Sequence, residues 1–201
     1  MNDKIAAFKR HVAETSSDPS FAHHKWFVKW HLEIVEKIAL ELCDYYPAAN
    51  RDLVEVMAWL HDYGKTLDYA NQYATTLSAG RQKLTELGFP ADMIEQAITY
   101  IEMLDKKLVI DLHSAPIEVQ IVSSADGCSH MTGPFLAIFW NEATDPTFAG
   151  KSFEELMALN LAKVEKDWKH KIVLPEARQA FEARYHYLKE QAGLLPPTYL
   201  S

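Results

Sequence analysis

Three short pieces of the sequence place histidine and aspartate in surroundings that predict burial. His31 lies among apolar residues at helical spacing, the pair His61-Asp62 follows an apolar run that ends at Leu60, and Asp126 stands in a segment of small and apolar residues. Two imidazoles and two carboxylates form a mixed nitrogen and oxygen donor set, which suits Mn²⁺, Mg²⁺, Co²⁺, Ni²⁺, Fe²⁺ or Zn²⁺. We predict that these four residues, the ligand set, hold one divalent cation.

Each member of the ligand set also has a purely structural interpretation. A core histidine can bond a backbone carbonyl, an HD pair can simply finish a helix, and a buried aspartate can pair with a buried cation. Together, however, they would place two histidines and two aspartates in the core, where charges that are neither paired nor metal-bound are costly. This cost makes the metal interpretation the stronger one. If the four residues hold no metal, the protein would be an interaction scaffold.

The order of the ligand set resembles the HD superfamily of phosphohydrolases. A histidine comes first, HD is followed by YGK, and a distant aspartate stands in SSADGCSHM, over roughly residues 21–131. The resemblance implies an all-helical bundle whose ligand set binds a metal that activates water against a phosphoester. The implied substrate is small and phosphorylated, a nucleotide or another metabolite, with monoester and diester both open. The competing interpretation is a noncatalytic helical module that keeps the metal, or only the fold, and acts through protein contacts.

Two catalytic roles follow from that resemblance. A divalent cation with two aspartates is roughly neutral, so a dianionic phosphate needs further positive charge, and Lys65 is the candidate to hold a nonbridging oxygen. A solvated lysine near a helix C-terminus explains Lys65 equally well. Asp62 could also steer the attacking water or accept its proton, a hypothesis that fails if an Asp62→Asn protein retains both metal and full turnover.

Further histidines bear on the number of metal ions. His130, four residues after Asp126, would share its helix face and could orient a ligand or contact substrate. His24, seven residues before His31, could also reach the site. Dinuclear members of the superfamily add histidines between the HD pair and the last aspartate, and here that interval contains only His113. We therefore predict a mononuclear centre.

Apolar residues recur at helical spacing along the chain, which predicts an all-α fold. A long helix over about residues 22–45 would carry Phe27, Trp30 and Ile34 on its buried stripe. A third helix would begin after the N-cap Asn50, carry the HD pair in its last turn and end at a left-handed Gly64. The remaining helices are predicted at about residues 3–15, 74–87, 90–106, from 116 through Asp126, 152–168 and 175–193.

The length of 201 residues fits one domain. We predict a single domain with an HD core at about residues 21–131 and a C-terminal helical extension at 132–201. The last helix, with Phe181, Tyr185 and Leu188, and the apolar tail after it could form a homodimer contact.

Composition narrows the class of partner. The net charge of −8 opposes nonspecific binding to long nucleic acids. The N-terminus is charged and lacks an apolar h-region, and the longest apolar stretch, residues 135–140, is too short to cross a bilayer. Cys43 and Cys128 lack CxxC spacing, which argues against a thiolate zinc site and suits a reducing compartment. These features predict a cytoplasmic protein that does not bind membranes.

Overall fold

The computed structural model describes residues 1–133, 135 and 150–200, and these residues form helices and turns without a strand. A π-helical turn at Val28–Leu32 runs directly into the second α-helix, and 3₁₀ turns occupy Tyr63–Thr66 and Leu112–Ser114. The all-α prediction is confirmed. The α-helices are α1 (Asn2–Ser16), α2 (Glu33–Tyr45), α3 (Arg51–Leu60), α4 (Gln72–Glu86), α5 (Ala91–Asp105), α6 (Ile117–Ser129), α7 (Phe153–His170) and α8 (Pro175–Gln191).

Helix α6 lies at the centre of the described bundle. It packs against α2, α3, α5, α7 and α8, and its small residues allow close approach. A Cβ at Gly127 would lie 2.7 Å from the Ile172 side chain, which follows α7. Asp126 therefore sits on a central helix, as its apolar neighbours predict. The buried apolar residues of α6 are Val119, Ile121, Val122, Ala125 and Cys128.

Several helix ends agree with the sequence signals. The Asn50 side chain accepts a hydrogen bond from the Leu53 amide at the start of α3. Ser152 and Glu155 form the reciprocal capping box that opens α7. Gly88 and Gly193 have φ values of 73° and 86°, the left-handed conformation that follows many helices.

The predicted long helix over residues 22–45 is wrong in its first part. Turns precede the π-helical turn at Val28–Leu32, and α2 begins only at Glu33. A π-helical turn contains an extra residue, which rotates the buried face relative to a continuous α-helix. Trp30 is consequently 37% exposed, while Leu32 and Val35 are buried.

The predicted role of Gly64 is also wrong, because this residue does not have a positive φ. It lies in the 3₁₀ turn after α3, and its amide donates to Thr76 Oγ1 at 2.8 Å. A Cβ here would lie 2.1 Å from the Gln72 carbonyl oxygen and 2.5 Å from the Thr76 nitrogen. Glycine is needed because the backbone of α4 packs directly on the turn.

The C-terminal helices pack onto the rest of the bundle. Leu188 is buried, Phe181 and Tyr185 pack against the core, and the Tyr185 ring stacks on Trp168 at 4.5 Å. The exposed apolar residues of α8 and the tail include Tyr187, Leu195 and Leu200.

Other sequence observations have a counterpart in the fold. Cys43 and Cys128 are both buried and free. No helix in the described part of the chain combines the length and apolar character needed to span a bilayer. Apart from Phe135, the apolar stretch at 135–140 lies outside the described residues.

Candidate metal centre

The four residues of the ligand set converge on one place from separate elements. His31 comes from the π-helical turn, His61 and Asp62 follow α3, and Asp126 comes from α6. The HD pair thus lies just beyond the last helical residue rather than in the last turn. His31 Nε2 is 3.3 Å from Asp62 Oδ2 and 3.9 Å from Asp126 Oδ1. His61 Nε2 is 3.7 Å and 3.9 Å from the same two oxygens.

Hydrogen bonds orient both imidazoles with Nε2 toward the carboxylates. His61 Nδ1 donates to the Ala58 carbonyl at 2.8 Å. The Ser129 hydroxyl donates to the Asp126 carbonyl, so its oxygen accepts from His31 Nδ1 at 3.2 Å. Both Nε2 atoms then carry lone pairs.

The Nε2 atom of His61 is buried without a hydrogen-bond partner among the described residues. A lone pair that faces two carboxylate oxygens without a proton between them is unfavourable unless a cation lies there. The donor set therefore fits a divalent cation.

Charged neighbours keep the two carboxyl groups ionised. Burial raises the pKa of Asp62, but the charge of Lys65, which donates a hydrogen bond to Oδ2, outweighs it and holds that pKa well below its usual range. Burial likewise opposes ionisation of Asp126, and Lys171, 2.6 Å from Oδ2, is the main group that holds its pKa low. Burial also lowers the pKa of His31, which keeps its ring neutral. Metal binding requires these protonation states.

A cavity of about 450 Å³ opens beside the ligand set, and five lysines line it. Four aspartates, Asp62, Asp105, Asp126 and Asp167, line it as well. With a divalent cation bound, the lining would carry a net positive charge in a chain with a net charge of −8, which suits an anionic ligand. Burial lowers the pKa of Lys163 to about 8, so that an anion would stabilise its charged form. The lysine-lined cavity is defined by Lys65, Lys107, Lys163, Lys166 and Lys171.

Sequence reasoning missed several cavity residues. Asp105 at the end of α5 is one of them, and burial raises its pKa to about 6. Others belong to α7 and the residue after it. Lys163, Asp167 and Lys171 recur every four residues, on the helical stripe that also carries buried Val164. Charged residues on the buried face of a helix need polar partners. Their regular spacing on this face could therefore have identified these three residues as part of a polar site.

The remaining sequence candidates divide between the cavity and other places. Lys65 lines the cavity beside Asp62, and His130 Nε2 lies 3.6 Å from Asp126 Oδ1. His24 is neither in the cavity lining nor in a group of described residues that could hold a metal. Its Nδ1 bonds the Phe21 carbonyl. His113 is exposed and bonds Asp111.

Comparison with known protein families tests the resemblance directly. The HD domain model matches residues 30–131, which is half of the chain and includes the whole ligand set. This chain belongs to the HD domain family. Membership places it in a family of metal-dependent phosphohydrolases, as the order of histidines and aspartates predicted. The match ends before α7, so the HD model does not cover the charged residues on that helix.

Among curated proteins, the HD-domain chain is similar to the 3′-5′ exoribonuclease YhaM of Listeria welshimeri serovar 6b. The two are 24% identical over 94 residues, which cover 45% of this chain and 30% of the relative. The chain thus spans less than a third of that relative's length. No solved structure matches the chain significantly.

Proposed function

We propose that this protein is a metal-dependent hydrolase that cleaves a phosphoester bond in a small phosphorylated substrate, a nucleotide or another metabolite. One observation carries the proposal. The Nε2 of His61, which has no hydrogen-bond partner among the described residues, faces two ionised carboxylates beside the lysine-lined cavity. The cavity volume of about 450 Å³ falls in the range of small-ligand sites. We assign His31, His61, Asp62 and Asp126 as metal ligands.

A divalent cation in this site would polarise a phosphoryl oxygen and lower the pKa of a water molecule. The lysines of the cavity have separate roles. Lys65 holds Asp62 ionised, and its ammonium group can donate to a nonbridging phosphate oxygen and stabilise the charge that develops there. Lys171 holds Asp126 in the same way. The other cavity lysines, Lys107, Lys163 and Lys166, attract the anion.

Proton transfer is better matched to Asp105 than to Asp62. The low pKa of Asp62 makes it a weak acceptor, so its second role is to orient the attacking water. Asp105, with a pKa of about 6, lines the same cavity and has the affinity for a proton that a general base needs near neutral pH.

A second candidate substrate is the 3′ end of an RNA strand. The similarity to a protein named as a 3′-5′ exoribonuclease favours it. The lysine-lined cavity would take the terminal phosphodiester, whereas the net charge of −8 opposes binding along an extended strand. This candidate differs from the first in the size of the substrate, the end of a strand rather than a small phosphorylated molecule.

The test begins with protein purified without chelator and elemental analysis of its metals. Phosphomonoesters, nucleotides, diesters and a short single-stranded RNA are then screened with added Mn²⁺, Co²⁺, Ni²⁺ or Mg²⁺. We expect about one metal ion per chain and hydrolysis that is lost in Asp62→Ala and Asp126→Ala proteins. The matched control is Asp44→Ala, because Asp44 is an exposed aspartate that pairs with Arg51, and this variant should retain both metal and turnover.

The outcomes separate the competing functions. Hydrolysis of RNA without hydrolysis of any small ester would favour the exoribonuclease candidate. Bound metal without turnover on the whole panel would favour a noncatalytic metal-binding module. Absence of metal under every condition would leave only an interaction scaffold and would refute the proposal.

A further inference from the structure

His130 connects the candidate metal centre to helix α7. It follows α6 directly, and its side chain is buried. Its Nδ1 lies 2.7 Å from Asp167 Oδ2, and its Nε2 lies 3.6 Å from Asp126 Oδ1. The imidazole therefore lies between two carboxylates, Asp167 on its Nδ1 side and Asp126, a member of the ligand set, on its Nε2 side.

The Asp167 carboxylate determines which ring nitrogen of His130 carries the proton. Lys171 lies 3.3 Å from Asp167 Oδ1. Burial raises the pKa of Asp167, but the charge of Lys171 and the hydrogen bond from His130 outweigh it and keep that pKa below its usual range. Because an ionised carboxylate can only accept, His130 Nδ1 donates to it. In the neutral ring, the proton on Nδ1 leaves a lone pair on Nε2. A carboxylate behind the imidazole is the arrangement that orients histidine ligands in metal sites.

One oxygen, Asp126 Oδ1, is shared by all three buried histidines of the site. The Nε2 atoms of His31, His61 and His130 lie 3.9, 3.9 and 3.6 Å from it. Lys171 occupies the other oxygen, Oδ2. His130 Nε2 is thus at least as close to Asp126 Oδ1 as the Nε2 atoms of the two histidines of the ligand set.

The rings of His31 and His130 support the same arrangement. They stack with their planes 5° apart and their centroids 5.3 Å apart. Ligand atoms of His31, Asp126 and His130 all lie within 4.8 Å of one another, as do those of His31, His61 and Asp62. The two groups share His31, which places His130 next to the ligand set.

We propose that His130 is a fifth protein ligand of the metal and that Asp167 is the positioning residue that orients it. The inference rests on the proposed metal centre and extends it beyond the four residues of the HD motif. Asp167 lies outside residues 30–131, so helix α7 would contribute to metal binding through His130 as well as to the cavity.

The experiment counts imidazoles on the bound ion and measures affinity for Co²⁺ alone. X-ray absorption of the Co²⁺-loaded protein should show three imidazoles in wild type and two in His130→Gln. The dissociation constant for Co²⁺, from calorimetric titration, should rise about 10- to 100-fold in this variant. His186→Gln is the matched control, because His186 is an exposed histidine whose side chain is 64% accessible, and its affinity should equal that of wild type.

Asp167→Asn tests the positioning role. The amide keeps the size of the side chain but removes the charge that fixes the His130 proton. We expect Co²⁺ to remain bound about 10-fold more weakly, with shifted visible absorption bands. A purely structural carboxylate would leave those bands unchanged, and that result would overturn the role of Asp167.

The outcomes for His130 and for the hydrolase are distinguishable. Two imidazoles on the wild-type ion would overturn the fifth ligand, even if phosphoesters are hydrolysed. Three imidazoles without hydrolysis of any ester would support it and count against the proposed function. The number of imidazoles on the wild-type ion tests the fifth ligand even if circular dichroism shows that His130→Gln does not fold. Failure of the wild-type protein to bind Co²⁺ would overturn both proposals.

Discussion

At the scale of single residues, each candidate metal ligand has its own hydrogen-bond partner, and that partner determines the protonation of the ligand. The Ala58 carbonyl orients His61, the Ser129 hydroxyl orients His31, and the two ligand carboxylates each have a lysine partner. Ala58 and Lys65 lie three residues from their partners, within reach of sequence spacing. Spacing could not reveal the contacts of Ser129 and Lys171, because these residues are distant in the chain from His31 and Asp126. These contacts decide which nitrogen is free, and so whether the set can bind a cation.

Asp105 provides a residue-scale prediction about pH. Its pKa is raised from 3.8 to about 6, chiefly by burial, so the folded protein binds this proton more tightly than the unfolded chain does. The resulting stability is present below pH 4 and is lost as the pH rises through 6. In chelator, Asp105→Asn should therefore be more stable than wild type at pH 7.5, with a smaller difference at pH 4.

The size of that difference is limited by solvent. A two-unit shift corresponds to about 3 kcal/mol, but Asp105 is only partly buried, so we expect about 1 kcal/mol. Urea denaturation at the two pH values measures it, and pH 4 serves as the internal control. If the stability difference between Asp105→Asn and wild type does not grow between pH 4 and pH 7.5, the raised pKa of Asp105 is contradicted.

At the scale of elements, the contact of the 3₁₀ turn with α4 predicts the effect of Gly64→Ala. The added Cβ would meet the backbone at Gln72 and Thr76, which cannot move without displacing the helix. We expect a loss of about 2 to 4 kcal/mol in the free energy of unfolding, measured by urea denaturation. Gly133→Ala is the control, because no described atom lies within 4 Å of its added Cβ, and equal losses in both variants would refute the packing argument.

The elements that the sequence predicts best are those whose ends carry local signals. Asn50, Gly88, Ser152 and Gly193 each act within a few residues of a helix end, so their roles can be predicted without knowing the fold. Gly64 and the π-helical turn could not be predicted in this way. Their conformations depend on contacts with distant elements, and periodicity alone does not detect an inserted residue.

The candidate site shows the same division between local and distant information. The HD motif identifies His31, His61, Asp62 and Asp126 from residue order alone, and the fold brings them together. Their role as metal ligands stays a prediction. The motif gives no sign of the charged face of α7, which joins the cavity only because α7 packs on α6.

At the scale of the whole molecule, an acidic chain concentrates lysines at one cavity, and this contrast predicts how anions bind. Lys166 lines the cavity and is otherwise exposed, so it acts mainly through long-range attraction. For the metal-loaded protein, we expect Lys166→Ala to raise the dissociation constant of inorganic phosphate about threefold at low salt, as measured by calorimetry. Lys169→Ala, on the same helix but outside the cavity lining, should have little effect.

Salt distinguishes this attraction from a direct contact with phosphate. The distance over which charges act falls from about 10 Å at 0.1 M to about 3 Å at 1 M ionic strength. If Lys166 acts at long range, the difference between Lys166→Ala and wild type should vanish at 1 M sodium chloride, while Lys65→Ala should still weaken binding because Lys65 lies beside Asp62. If the effect of Lys166→Ala persists at 1 M sodium chloride, Lys166 contacts the phosphate directly. The bound anion would then lie closer to α7 than an anion held by the metal centre alone.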